Sequence, residues 1–406
     1  MKRFVAAFLA SAMVLSLGAC SNAGSSTGTS AASGAPASAA GSTGQAAAST
    51  GGSGPIKIGV SIWSSTDVLG SQCKTVLDQA AKALGDVQLQ YVDQGHVSEK
   101  VTASVETLAA AGCKGIVICN SADSEMASAI NTCDQNGVYL AQFFRIISKD
   151  RSPQIYAQAQ KSKYFVGAVH EDEVVNGYTL ANILINKGKR FICLEGWTPG
   201  DATFLQRWAG YKQAVSEWNQ KHPGDKVTLT DPVYANTSSE EGAKVATSFM
   251  NSYPKMDALI VAGGGGDPLV GSVGAIKNAG KTGKIAVVST DFLHDLDAQL
   301  ASGGMTAESG GHFCDPLYAL MMVYNTVKGK YQTSTDPSSP DSFREIKFPY
   351  LYVSSSADYA TYKKYFLDSP PYTDAEIKAM GNDTFDQLSK RAASLSLKDV
   401  QTRHGG

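Results

Sequence analysis

The chain has 406 residues and a formal net charge of −2, from 35 Lys and Arg against 37 Asp and Glu. That balance leaves no basic footprint for nucleic acid, which is excluded as a partner. With residues 1–54 set aside, the 43% hydrophobic content suffices for two ordinary cores at roughly 150 residues per domain. After the leader, no stretch approaches the ~20 apolar residues of a membrane span, so a multi-pass protein is excluded.

Met1, Lys2 and Arg3 make a positive start, and residues 4–17 (FVAAFLASAMVLSL) form an apolar run of 14. That run is too short to span a bilayer and suits an export signal. The following Leu17-Gly18-Ala19-Cys20 resembles the bacterial lipoprotein box. The resemblance implies a signal peptide and lipobox over residues 1–20, with Cys20 lipidated as the mature N-terminus. Several acyl chains on one Cys anchor stably where a single chain does not. The plainer alternative is a secreted protein cut near Ala19. Residues 21–54 are almost entirely Ala, Gly, Ser and Thr and carry no charge. They have too little apolar surface to fold and are expected to be a disordered tether. A coil of that length reaches roughly 30 Å, holding a folded part off the membrane on its extracytoplasmic face.

Residues 56–63 (IKIGVSIW) are a continuous apolar run, the pattern of a strand buried on both faces. Residues 72–84 have helical spacing and end at Gly85; 87–92 read as a strand and 99–111 as a helix stopped at Gly112. Strands follow at 115–119 (GIVIC) and 139–144, with a helix at 125–134 between them. A second series opens with a helix at 174–186, and the two series join around residues 160–172. It continues as strand 190–195 (RFICLE), helix 205–220, strand 227–234, helix 240–253, strand 258–262 (ALIVA), helix 269–279 and strand 286–289. A long helix at 316–328 and a strand at 349–353 come next, and the remaining residues read as helices with Pro-Pro turns. Alternating strands and helices with short loops predict an α/β fold with parallel sheets and right-handed crossovers.

Ordered landmarks within this pattern resemble the sugar-type periplasmic binding proteins of the ribose and galactose kind, over about residues 55–355. They are IKIGVSIW, the segment GCKGIVICNSA at 112–122, RWAGY at 207–211, DALIVA at 257–262 before a Gly-rich loop, and VVSTD at 287–291. The resemblance implies two Rossmann-like lobes with parallel sheets joined by a three-strand hinge (periplasmic binding protein type I). The N-terminal lobe is expected at 55–168 plus about 310–345, the C-terminal lobe at 169–309 plus about 346–360, and a helical extension at 361–406. The implied role is capture of a monosaccharide or similar small polyol between the lobes and delivery to the permease subunits of an ABC transporter. A monomer without cofactor, metal or catalysis is expected. A sensor, or a carrier of a nucleoside or signalling furanose, is the alternative; a tethered cell-surface enzyme is a weaker one.

Elementary topology points the same way, because open parallel sheets bind ligands beyond the carboxyl ends of their strands, and two facing sheets make a cleft. From the first lobe, Trp63, Thr66 and Asp67 follow strand one. Asp67-Val68-Leu69 stand where the resemblance leads one to expect aromatics, so Trp63 is the expected stacking face. Arg145 follows strand four and matches the family's ligand Arg, with Phe144 in place of the acid that often precedes it. From the second lobe, Glu171 stands beside Asp172 at the first crossing, and Trp197 and Asp201 follow RFICLE. Arg207 opens the next helix; a guanidinium fork can hold two adjacent hydroxyls. Asn236 and Asp267 follow later strands, and Asp291 matches the family's ligand carboxylate or caps the next helix. His312 beside Phe313 is placed near the third crossing. Truncating Arg207 or Asp291 is expected to cost ligand affinity and to leave unliganded stability nearly unchanged or raised.

Six cysteines remain after Cys20. Cys113 precedes strand three and Cys133 ends the next helix, so these two are the expected disulfide; Cys73 with Cys119 is a second pairing, and buried thiols are the alternative. No Cys or His cluster has zinc spacing. Strand one is not followed by G-x-G-x-x-G, and no G-x-S-x-G occurs. AIKNAGKT at 275–282 approaches a phosphate loop but lies at a helix end, with Gly280 as its cap.

Overall fold

The computed structural model describes residues 54–95, 97–236, 238–263, 267–330 and 344–405. The export signal, Cys20 and the tether up to residue 53 lie outside the described residues. The first series is β1 (Ile56–Ile62), α1 (Val68–Leu84), β2 (Val87–Asp93), α2 (Ser98–Ala110), β3 (Gly115–Ile118), α3 (Asp123–Asn136), β4 (Tyr139–Phe143), α4 (Pro153–Lys161) and β5 (Phe165–Glu171). The second is α5 (Glu173–Asn186), β6 (Phe191–Gly196), α6 (Ala202–Lys221), β7 (Thr228–Leu229), β8 (Val233–Tyr234), α7 (Ser239–Ser252), β9 (Ala258–Val261), α8 (Asp267–Asn278), β10 (Ala286–Thr290), α9 (Leu296–Ser302) and β11 (Ala307–Gly310). The chain returns through α10 (Asp315–Val327) and β12 (Glu345–Phe348), then crosses to β13 (Leu351–Val353). It ends in α11 (Ser356–Tyr362), a π-helical turn at Lys363–Leu367, α12 (Asp374–Met380), α13 (Phe385–Ala393) and α14 (Leu397–Arg403).

The first sheet runs β2-β1-β3-β4-β5-β12 and every pair in it is parallel. The second runs β7-β6-β9-β10-β11-β13, with β8 also pairing β6. It is parallel apart from β13, which pairs antiparallel with β11. The strand order reverses beside β1 in one sheet and beside β6 in the other, so both crevices open where the segments after β1, β3, β6 and β9 emerge. Strands β3 and β9 are buried along their whole length, as helices on both faces require. The chain passes between the sheets three times: from β5 to α5, from β11 to α10, and from β12 to β13.

The sheets shift two expected boundaries. β5 runs to Glu171 in the first sheet, beyond the expected limit of 168, and residues 346–348 lie in the first sheet instead of the second. His312 stands at the second passage, not the third. The single strand expected at 227–234 is two short ones, because Pro232 has no N–H to give the ladder. Elements α4, β5, α9, β11 and β12 were not expected from periodicity.

Cys113 and Cys133 are separate free thiols, so the expected disulfide is not formed; the other four described cysteines are free too. Both pack as small apolar side chains in the cluster with Val101, Leu108, Ile116 and Ile130. Burial pushes the Cys133 thiol up to about 12, which leaves it an unreactive thiol.

The last helices are part of the main core. Tyr372, Ile377, Met380, Leu388 and Ala392 share one buried cluster with β1, α1 and α10 residues. α12 packs on α1, α13 on α10 and β12, and α11 on α9 and β13.

Candidate ligand-binding site

One cavity of about 440 Å³ lies between the two sheets and is lined from both. That volume falls in the range of about 300–1,000 Å³ typical of small-molecule sites. Its wall includes Trp63, Asp67, Arg145, Glu171, Trp197, Arg207, Asp291 and His312, all singled out by sequence. A second cavity of about 330 Å³ shares Phe144, Arg145, Glu171, Glu173 and Thr203 with it and holds Asp201.

On the first-lobe side, β1 delivers Trp63, whose indole N–H donates to Asp67. The other Asp67 oxygen accepts from the Gly70 N–H at 2.7 Å. Asp67 is therefore the N-cap of α1, which starts four residues earlier than the spacing suggested. β4 ends at Phe143, and Phe144 turns with φ +57°, a conformation that costs a non-glycine residue about 1–3 kcal/mol. The turn sets the Phe144 ring 5.7 Å from Trp63 and 5.0 Å from His312, which lies 4.8 Å from Tyr350. These four rings make a continuous aromatic arc. Among the described residues the Arg145 guanidinium makes one hydrogen bond, from Nη1 to the Phe144 carbonyl at 2.9 Å.

On the second-lobe side, Arg207 lies in the second turn of α6, not at its opening, and is 4% exposed. Its Nε and Nη2 donate to both oxygens of Glu173, at 2.6 and 3.0 Å. Nη1 reaches the Ala262 carbonyl at 3.0 Å, and Nη2 the Tyr350 hydroxyl at 2.9 Å. Tyr350 in turn donates to Glu173 at 3.0 Å. Burial alone would pull the guanidinium pKa down; the Glu173 carboxylate more than offsets this and holds it well above its usual value. The pairing depends on helix contact. A Cβ on Gly177 would meet the Arg207 carbonyl at 2.1 Å, and one on Gly210 the Val174 carbonyl at 2.1 Å. The R-x-x-G spacing thus places the fork and lets α5 cross α6 closely enough to meet it.

Asp291 follows β10 with φ +74°, its N–H donating to the Ser309 carbonyl at 2.7 Å. One of its carboxylate oxygens is 3.5 Å from His312 Nε2. Glu171 ends β5 beside the buried Asp315. One oxygen of each, Glu171 Oε1 and Asp315 Oδ2, is buried without a donor. A proton held between the two carboxyls satisfies both. Burial raises both acids, and the Glu171 charge raises Asp315 further, so the proton resides on Asp315. Two ring nitrogens on the wall, Trp197 Nε1 and His312 Nδ1, are buried with no hydrogen-bond partner among the described residues. Buried polar groups are normally paired, so these two atoms stand out on the cavity wall.

The remaining expected residues lie elsewhere. Thr66 is exposed and bonds Ser64. Asn236 is exposed, with φ +51°, and lines neither cavity, because the β8 segment ends outside the cleft. Asp201 caps α6 by accepting from the Phe204 N–H at 2.7 Å and lines only the smaller cavity. Asp267 opens α8; its side chain is outside the described residues, and the adjacent Pro268 lines the larger cavity. Glu173, Phe144, Tyr350, Phe292, Gln72 and Tyr362 also line the wall and were not expected. Glu173 is the first residue of α5, capped by Asp172, and is buried.

A family model described as a periplasmic binding protein domain matches residues 58–314, more than half of the chain. The chain belongs to that family. The match runs from β1 to the second passage. A D-ribose/D-allose-binding protein of Pseudomonas aeruginosa is 23% identical over 226 residues, covering 54% of this chain and 66% of that protein. The chain therefore spans just under two thirds of that curated relative. Two solved structures share the fold. An ABC transporter periplasmic solute-binding protein from Actinobacillus succinogenes with bound D-allose has TM-score 0.62 and 18% identity, over 75% of this chain and 100% of that one. An ABC transporter solute-binding protein from Bacillus halodurans with bound myo-inositol has TM-score 0.62 and 16% identity, over 78% of this chain and 99% of that one.

Proposed function

We propose that this periplasmic binding protein is an extracytoplasmic lipoprotein that captures a monosaccharide or similar small polyol between its lobes and hands it to an ABC permease. The observation that carries the reading is the cavity wall. It combines an aromatic arc with, among the described residues, one Arg fork with a single internal bond and two buried ring nitrogens without hydrogen-bond partners. A sugar has apolar ring faces and a polar rim, so it matches rings and charged groups at once. A wall with its own unpaired polar groups also rejects a ligand lacking the matching hydroxyl. The ligands in the related proteins, D-allose and myo-inositol, have that chemistry. The role is capture and release, without turnover. Three passages between the lobes suit closure around the ligand. Lipidation of Cys20, the tether, a monomeric state and the permease partner belong to the same reading, supported by the leader and the family.

A thermal-shift screen of pentoses, hexoses and inositols tests it. The right ligand at a hundredfold excess over its dissociation constant stabilises the protein by about 2.7 kcal/mol. Absence of any shift across the panel would refute the ligand class. For the anchor, Cys20→Ser should move the protein from the membrane to the soluble exported fraction; retention on membranes would show that another element holds it.

A further inference from the structure

The helices after β13 lie beyond the residues matched by the family model, which ends at 314. They nevertheless reach the ligand cavity. Tyr362, the last residue of α11, is 2% exposed and stands in the cavity wall. Its ring meets Phe292 of the second lobe edge-on at 4.6 Å. It stacks on Phe366 at 5.5 Å, and Phe366 meets Phe313 of the second passage at 6.4 Å. Gln72, from α1 of the first lobe, lines the same cavity. Tyr362 thus packs on Phe292 of the second lobe, and Phe366 links it to the second passage.

The extension is tied down independently of any ligand. The Tyr372 and Tyr318 hydroxyls are 2.7 Å apart in the core. Gln79 donates to the Tyr372 carbonyl at 3.0 Å, and Asn325 to the Met380 carbonyl at 3.0 Å. Leu69 and Gln72, three residues apart on α1, share a helix face and line the cavity with Phe292 and Tyr362. This part of the wall is carbon-rich, whereas Arg145, Glu171, Glu173, Arg207 and Asp291 supply its charge.

We propose that the C-terminal extension is a built wall of the ligand cavity, and that the Tyr362 ring is a specificity-determining contact for a carbon-rich edge of the ligand. Such an edge is a C–H face of the sugar ring or a deoxy carbon. The proposal rests on the sugar-binding reading above and adds the orientation of the ligand within the cavity. A hydroxyl turned toward Leu69, Phe292 and Tyr362 would lose its water with little to replace it.

The test uses the full chain and calorimetric titration with matched hexose and 6-deoxyhexose pairs, pentoses and myo-inositol. Tyr362→Phe should bind within about twofold of wild type, since the ring is kept. Tyr362→Ala should bind about 10- to 100-fold more weakly and discriminate less between a deoxy sugar and its parent. Tyr362 is in the core, so a second arm avoids truncation: 3-fluorotyrosine placed at 362 should shift its fluorine resonance on saturation with the bound sugar. Unchanged affinity in Tyr362→Ala, or an unmoved fluorine at saturation, overturns the proposal. Failure of the wild type to bind any of the panel instead overturns the sugar-binding reading on which it rests.

Discussion

Arg145 and Arg207 face the same cavity from opposite lobes, and their surroundings differ. Arg207 is buried, bonded to both Glu173 oxygens, a backbone carbonyl and the Tyr350 hydroxyl. Arg145 makes one bond, to the carbonyl of its own neighbour, among the described residues. On the first-lobe side the wall is made of rings on a strained turn at Phe144; on the second-lobe side it is a closed ionic network. The difference assigns roles. A fork with four of its five N–H donors engaged before the ligand arrives is a positioning element, here for Glu173 and Tyr350. A fork with donors still to place can receive hydroxyls. Charge pairs buried in this way hold geometry more than they add stability, and breaking them is expensive.

The contrast can be broken most severely at Arg207. Removing its side chain leaves the Glu173 carboxylate buried without its counter-charge, so Arg207→Ala should lose about 3–5 kcal/mol in urea unfolding without ligand. This reverses the expectation from sequence that unliganded stability would hardly change or would rise. A stable Arg207→Ala protein would show that the network is dispensable. Arg145→Ala should do the opposite. Its affinity for the identified sugar should fall by about 10- to 100-fold, with an unliganded unfolding midpoint near wild type. Equal losses of stability in the two variants would erase the proposed division of labour.

A smaller effect comes from Asp315, buried beside Glu171 at the end of β5. Burial and the neighbouring carboxyl raise its pKa above the unfolded value. The folded state therefore keeps a proton that the unfolded chain releases, and this contribution is complete below the usual carboxylate pKa of about 4. It is lost as pH rises toward the folded value. Asp315→Asn, which imitates the protonated acid, should flatten the fall in urea midpoint between pH 5 and pH 8. A slope identical to wild type would mean that no proton is held there.

Strands with unbroken apolar runs, such as IKIGVSI and ALIV, were legible in the sequence because burial on both faces leaves no polar position. β5 was not, since FVGAVHE ends in His170 and Glu171, whose burial depends on the second lobe and β12. β12 is an edge strand whose two outward residues are Glu345 and Lys347, which dilute its signal. Much of the site was legible because residues following strands point to the cleft: Trp63, Arg145, Trp197 and Asp291 all line it. The same rule misplaced Thr66 and Asn236, because one residue of rotation in a loop decides between cleft and solvent. Tyr350 and Tyr362 were hidden for another reason. They reach the cavity by the return of the chain after α10, which no local pattern records.

A crystal structure of the protein with the sugar that stabilises it most tests the central claim directly. The ligand should lie inside the cavity between the sheets, with the Arg145 guanidinium about 2.7–3.2 Å from ligand oxygens and the Arg207–Glu173 pair intact. A ligand bound outside that cavity, or one held by Arg207 after separation from Glu173 while Arg145 makes no contact, would contradict it.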